Sequence, residues 1–273
     1  MAVRLVIQEP ADVSDDKRGL RWRQFRHRAG LWVRTCCKRD GGYLPFIVLS
    51  AGRDGSNLMV DYLNSVAGVH VQGEVLNDAL PYGVPKNCSA TAALQHIRRS
   101  LLDGRDAFRG LKVHFGQLRA RNMTVENLQR GVPHAKYIIL YRRNMAEQFV
   151  SLRRAATTGQ WLLKDPAARK DATVRVEREP LLAFYERHRQ CYGALMQCPW
   201  LRDKAVIVSY EELVADPNAV FRESVCPLLG LPVVTVHTDM VKQNPHGLRD
   251  TVENYDEVAD LLTGAQARHE YRI

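Results

Sequence analysis

Short apolar runs recur along this chain, separated by segments whose apolar positions step by three and four. The runs Phe46–Ser50, Val69–Gln72, Gly110–Phe115, Tyr137–Tyr141 and Ala205–Ser209 predict buried strands. Helical spacing predicts helices over Asn57–Val66, Ala90–Leu102, Met123–Gln129, Met145–Ala156, Pro180–Gln197, Tyr210–Ala215, Asn218–Leu229 and Asn254–Leu262. The longest of these carries Leu181, Phe184, His188, Cys191, Tyr192 and Leu195 along one face. Strands alternating with helices predict an α/β fold of three layers, α/β/α, around a mostly parallel sheet. Residues 157–179 are polar and aperiodic, which predicts a long surface excursion or a loop over a site.

The first strand leads into a glycine-bearing loop, Ala51-Gly52-Arg53-Asp54-Gly55-Ser56-Asn57, and then a helix. Strand, glycine loop and helix form a P-loop-like anion cradle, because backbone N–H groups and the helix N-terminus point at the same place. Arg53 adds a cation, and Ser56 and Asn57 add side-chain donors. The loop lacks the Gly-Lys-Ser/Thr ending that holds the phosphates of ATP or GTP. A nucleotide kinase or phosphotransferase shares this start and is the alternative reading. A second anion signal follows the Tyr137 strand. Arg142 and Arg143 stand at its end, Asn144 and Glu147 form a capping box, and Ser151 lies two turns into the helix. An arginine fork and a serine hydroxyl there could converge on one anion.

These segments resemble the sulfotransferases that use 3′-phosphoadenosine 5′-phosphosulfate (PAPS). The loop S-A-G-R-D-G-S-N is similar to that family's element for the 5′-phosphosulfate. R-N-M-A-E-Q-F-V-S is similar to its 3′-phosphate element, R-N-P-x-D-x-x-x-S. V-S-Y-E-E-L-V-A-D-P and L-L-G-L-P resemble later family segments, and G-E-V-L-N resembles a segment of the nodulation-factor sulfotransferases. The matches run in family order from about residue 45 to 262. The resemblance implies PAPS as donor, no metal, and a hydroxyl of a carbohydrate or other small molecule as acceptor. It implies donor contacts from Gly52, Arg53, Asp54, Gly55, Ser56, Asn57, Arg143, Ser151 and Lys242, with Arg53 also catalytic. Two candidates stand for the base. Glu74 matches the region of the acid in carbohydrate-type relatives. His114, in L-K-V-H-F, matches the histidine of K-[ST]-H-L in phenol and steroid enzymes, with Lys112 as that motif's lysine. The carbohydrate-type matches favour Glu74. Asp54 replaces a serine or threonine, and a carboxylate facing a phosphosulfate would repel it unless turned away or paired.

Size and composition fit this picture. A chain of 273 residues, 45% hydrophobic and 25% charged, can bury about three quarters of its unfolded surface without disulfide or metal support. The six cysteines form no C-x-x-C pair and no zinc-ligand spacing, which predicts free thiols. No apolar run is long enough for a membrane span and the first residues do not read as a secretory signal, so a cytoplasmic location is expected. Net charge is +9, much of it between Lys17 and Arg39. Residues 1–42 read as a basic N-terminal extension and 43–273 as the α/β domain. The extension suits a peripheral membrane or acidic partner; no nucleic-acid partner is expected.

Overall fold

The computed structural model describes residues 42–272, so the basic stretch 17–39 and almost all of the expected extension lie outside the described residues. Five strands form one sheet: β1 Leu44–Ser50, β2 Val69–Val71, β3 Phe108–His114, β4 Lys136–Tyr141 and β5 Ala205–Ser209. They stand in the order β2-β3-β1-β4-β5, and each neighbouring pair is parallel. All five arise where apolar runs predict them, with ends moved by a residue or two.

The helices are α1 Ser56–Asn64, α2 Ala90–Leu102, α3 Phe115–Arg119, α4 Val125–Gly131, α5 Met145–Thr158, α6 Arg178–Met196, α7 Leu201–Lys204, α8 Tyr210–Ala215, α9 Pro217–Val220, α10 Cys226–Leu229, α11 Leu248–Thr251 and α12 Tyr255–Thr263. The short α3, α7 and α11 have too few residues to show a period, which is why pattern alone misses them. The single helix expected over Asn218–Leu229 is instead two pieces joined by a π-helical turn, Phe221–Val225. Pro227 has no N–H to offer the preceding turn, and the ladder widens there.

The central strands β1, β3 and β4 are buried on both faces, while edge strand β2 exposes His70. In β1, Ile47 and Leu49 face a core with Ala93, Ile97 and Leu101 of α2 and with Tyr192 and Leu195 of α6. Phe46 and Val48 face the opposite core, with Met59 and Leu63 of α1 and with Phe221 and Val225. A third cluster packs α5 and α6 against α12. The sheet with helices on both of its faces gives the expected α/β/α layers. From central β1, the sheet extends through β3 and β2 on one side and through β4 and β5 on the other. The carboxyl ends of these strands open on a crevice of the kind where α/β proteins take ligands. Ser50, His114, Tyr141 and Ser209 are the last residues of β1, β3, β4 and β5.

The final described residues brace one rim of that crevice. His269 donates its backbone N–H to the Arg143 carbonyl at 3.1 Å. Its Nε2 bonds the Arg142 carbonyl at 2.7 Å, and its Nδ1 the Tyr271 hydroxyl at 3.0 Å. A carbonyl only accepts, so Nε2 carries the proton and Nδ1 accepts in a neutral ring. Burial pushes the His269 pKa down to about 4. A histidine held below its unfolded value stabilises the fold fully above about pH 6.5, and loses that stabilisation as pH falls toward 4. Urea unfolding should therefore show stability falling between pH 7 and pH 5, by roughly 1–3 kcal/mol from this group. His269→Gln should be less stable at pH 7 and should flatten the slope. An unchanged slope would remove His269 from this role.

Candidate functional site

The anion loop is shaped by Asp54. Its side chain is fully buried, and Oδ2 accepts from the Ala51 N–H at 2.8 Å and the Gly52 N–H at 3.1 Å. The carboxylate is thus turned inward, away from the crevice, and the repulsion expected of it is relieved by direction. The same bonds occupy two loop amides. The donors left for a ligand are those at the start of α1, Ser56 onward, whose N–H groups have no partner within the helix. Gly55 precedes them with φ +83°, and a methyl group there would lie 2.7 Å from the Tyr210 ring. Only glycine suits both the left-handed backbone and the close ring.

Arg53 also has a positive φ, 58°, and this sends its side chain across the crevice. Nε donates to Ser151 Oγ at 3.1 Å, Nη1 to the Trp161 carbonyl at 2.9 Å, and Nη2 to Gln243 Oε1 at 2.5 Å. The loop after β1 and the serine of α5 are therefore in direct contact, as a ligand gripped at both ends requires. One cleft is lined by Arg53, Gly55, Ser56, Asn57, Arg142, Ser151, Trp161, Tyr210 and Lys242. Leu58, Tyr62, Val214, Met240 and Val241 form its apolar part.

Arg143 is placed differently from expectation. Its guanidinium bonds Glu212 at 2.5 Å and lies 3.8 Å from Glu270, and it does not line the cleft. Arg142 lines it instead, over the Tyr210 ring at 4.6 Å and paired with Glu147. The period of two along β4 carries the signal for this: Ile138 and Leu140 face the α1 side, and Arg142 continues their row. Tyr210 lines the cleft as well. Glu211 accepts from the Arg143 and Asn144 N–H groups and holds the β4–α5 turn. Burial, and then the adjacent charge of Arg142, lower the pKa of Arg53, partly offset by Asp54 and Tyr210. Two guanidinium groups thus repel each other beside a serine hydroxyl. The buried Arg142 Nε has no hydrogen-bond partner among the described residues. An anion between the two would relieve both conditions.

The two base candidates meet. Glu74 Oε1 lies 2.8 Å from Lys112 Nζ and 3.3 Å from His114 Nε2. Its Oε2 accepts from Asn77 at 3.0 Å and Gln117 at 2.9 Å. Burial pushes this carboxyl upward, but His114 and Lys112 outweigh it and hold it well below the usual carboxylate range. His114 Nδ1 lies 2.7 Å from Ser50 Oγ. Since a carboxylate only accepts, Nε2 carries a proton toward Glu74, and Nδ1 of the neutral ring is the accepting nitrogen. That edge faces the anion loop: a methyl group on Gly52 would stand 3.9 Å from it. Lys112 Nζ also bonds Asn57 Oδ1, joining the pair to the loop. Asn77 closes the G-E-V-L-N segment, whereas Gln117 does not stand out in the sequence, because its significance depends on where Glu74 turns.

No group of three or more histidine, cysteine or acidic side chains that could hold a metal occurs among the described residues. Nor, among these residues, is any helix long and apolar enough to cross a membrane. The four described cysteines are free thiols.

Comparison with known proteins identifies the family. A model of the sulfotransferase family matches residues 91–235. Nodulation protein H of Rhizobium tropici is 24% identical over 232 residues, spanning 81% of this chain and 90% of that protein. A solved sulfotransferase from Alicyclobacillus acidocaldarius aligns with a TM-score of 0.44 at 17% identity, covering 80% of this chain and 90% of that one. A mouse sulfotransferase complexed with PAP aligns with a TM-score of 0.42 at 11% identity, covering 74% of this chain and 64% of that one. The family match extends over more than half of the sequence, from the start of α2 to beyond α10. The chain belongs to the PAPS-dependent sulfotransferase family.

Proposed function

We propose that this sulfotransferase binds PAPS between Arg53 and Arg142 and passes its sulfuryl group to a hydroxyl of a carbohydrate or similar small molecule. The observation that carries the donor assignment is that two guanidinium groups, those of Arg53 and Arg142, line one cleft beside Ser151. Such a pair is costly when empty and favourable around an anion. In this reading Ser56 and Asn57 offer amides to the 5′-phosphosulfate, and Arg142 with Ser151 takes the 3′-phosphate. Lys242 stands at the cleft edge as a further cation. The apolar part, with Tyr62, Val214 and Met240, suits the adenine face. Arg143 serves the rim through Glu212. A kinase reading loses ground to the family match and to the missing P-loop lysine.

Transfer requires the acceptor oxygen to approach sulfur in line while the bond from sulfur to the bridging phosphate oxygen breaks. Preorganised donors stabilise the charge that grows on the leaving phosphate. Arg53 and Lys112 are the cations for that task. The acceptor proton goes to His114 Nδ1, the nitrogen that faces the loop, once the Ser50 hydroxyl that bonds it at 2.7 Å turns its proton aside. Glu74 positions the ring and stabilises the imidazolium that forms. A carboxylate with four donors and so low a pKa is a weak base, so here its role is support and the histidine's is chemical.

Two tests follow from these roles. Isothermal titration with adenosine 3′,5′-bisphosphate should give about 10–100-fold weaker binding for Arg142→Ala and less than about threefold for Arg143→Ala. Equal losses would return the 3′-phosphate to Arg143. With sulfur-35 PAPS and a panel of glycans, glycolipids and phenols, His114→Asn should slow label transfer by about 10²–10⁴ without loss of nucleotide binding. Glu74→Gln should slow it less. Tight nucleotide binding with no transfer to any acceptor would leave only a binding role.

A further inference from the structure

Between β2 and α2 the chain makes a long irregular excursion, residues 73–88, that none of the donor contacts uses. It is nevertheless built rigidly. Arg121 is buried, and its guanidinium donates to the carbonyls of Leu76 at 2.9 Å, Val84 at 2.5 Å and Gln117 at 3.0 Å. The excursion folds back on itself so tightly that a methyl group on Gly83 would fall 1.7 Å from the Asn77 carbonyl oxygen. A substituent at Gly73, next to Glu74, would lie 3.2 Å from the Tyr82 hydroxyl. The Tyr82 carbonyl is tied to His96 Nε2 at 2.9 Å.

This frame holds one aromatic ring in the open. Tyr82 is 41% exposed, and its hydroxyl makes no hydrogen bond among the described residues. The 3.2 Å approach of its hydroxyl to a Cβ position on Gly73 sets the ring tip beside the residue that precedes Glu74, and burial, then the Glu74 charge, raise the phenol's pKa. The surroundings are polar and balanced. Asp78 is paired with Lys86 at 3.6 Å, and Asn77 and Gln117 are committed to Glu74. The ring is half-exposed and the side chains gathered around Glu74 beside it are polar, which suits a ring with one apolar C–H face and hydroxyls around its edge. A phenol or steroid would need a second apolar wall.

Resting on the sulfotransferase reading, we propose that Tyr82 is the acceptor-positioning residue, its ring forming a platform on which a neutral pyranose lies with one hydroxyl turned toward His114. The rigid frame lets the ring act without being ordered on binding, so little affinity is lost to ordering.

The test uses methyl glucopyranoside, methyl galactopyranoside and methyl mannopyranoside as probes, with phenol as comparator. Each is titrated into the full chain saturated with adenosine 3′,5′-bisphosphate and followed by saturation-transfer NMR. At least one pyranoside should bind saturably, with its C–H face receiving the strongest transfer. Tyr82→Phe should bind it within about threefold of the parent, and Tyr82→Ala about tenfold or more weakly. Nucleotide affinity should be unchanged in both, which also reports that the variants fold. Equal pyranoside binding by Tyr82→Ala would overturn the proposal. So would a parent protein that binds the nucleotide but no pyranoside, or that prefers phenol; either leaves the donor reading standing. If the nucleotide itself fails to bind, both fall together.

Discussion

A buried carboxylate beneath an anion-binding loop is the constraint on which this site depends. Asp54 takes the N–H groups of Ala51 and Gly52 into the interior. That fixes the path of the loop, including the left-handed backbone at Gly52, Arg53 and Gly55. Arg53 is thereby launched across the crevice to Ser151 instead of lying along its own strand. The loop gives up two amides to the protein and gains a guanidinium delivered to the far wall. A serine or threonine at this position would leave the path less strongly held, since a hydroxyl accepts such bonds more weakly than a carboxylate.

The other half of the site is organised by a second charged centre. Lys112, buried in β3, bonds Glu74 on one side and Asn57 of α1 on the other. One ammonium thus spans from the carboxylate that positions His114 to the donor loop. Glu74, held anionic by its donors, keeps Lys112 and His114 in fixed relation. The pair of base candidates that the sequence presents as alternatives is one assembly in space.

The fold was legible because its signals are local. The central strands are largely apolar and buried on both faces, and each long helix carries a stripe of matching period. Tyr137–Tyr141 and Ala205–Ser209 need no tertiary information to be seen. The site was legible only in part. Arg53 and Ser151 lie far apart in sequence, and motif order alone suggests that they meet. The choice between Arg142 and Arg143 depends on which face each residue takes as β4 ends, and on Glu211 and Glu212 arriving from α8 to claim the second arginine. The inward turn of Asp54 depends on a buried environment supplied by α6. Such choices are made by tertiary partners, which no short pattern contains.

The central position of β1 has a kinetic consequence. Phe46 pairs with Gly110 on one side and with Lys136 on the other, both remote in the chain. Closing such loops is entropically slow, and parallel pairings of this range belong to the sluggish end of folding rates. Until both neighbours dock, the segment that begins at Ala51 has no floor beneath it. Nucleotide affinity should accordingly emerge with the last phase of refolding, and a partly folded chain should be blind to its donor.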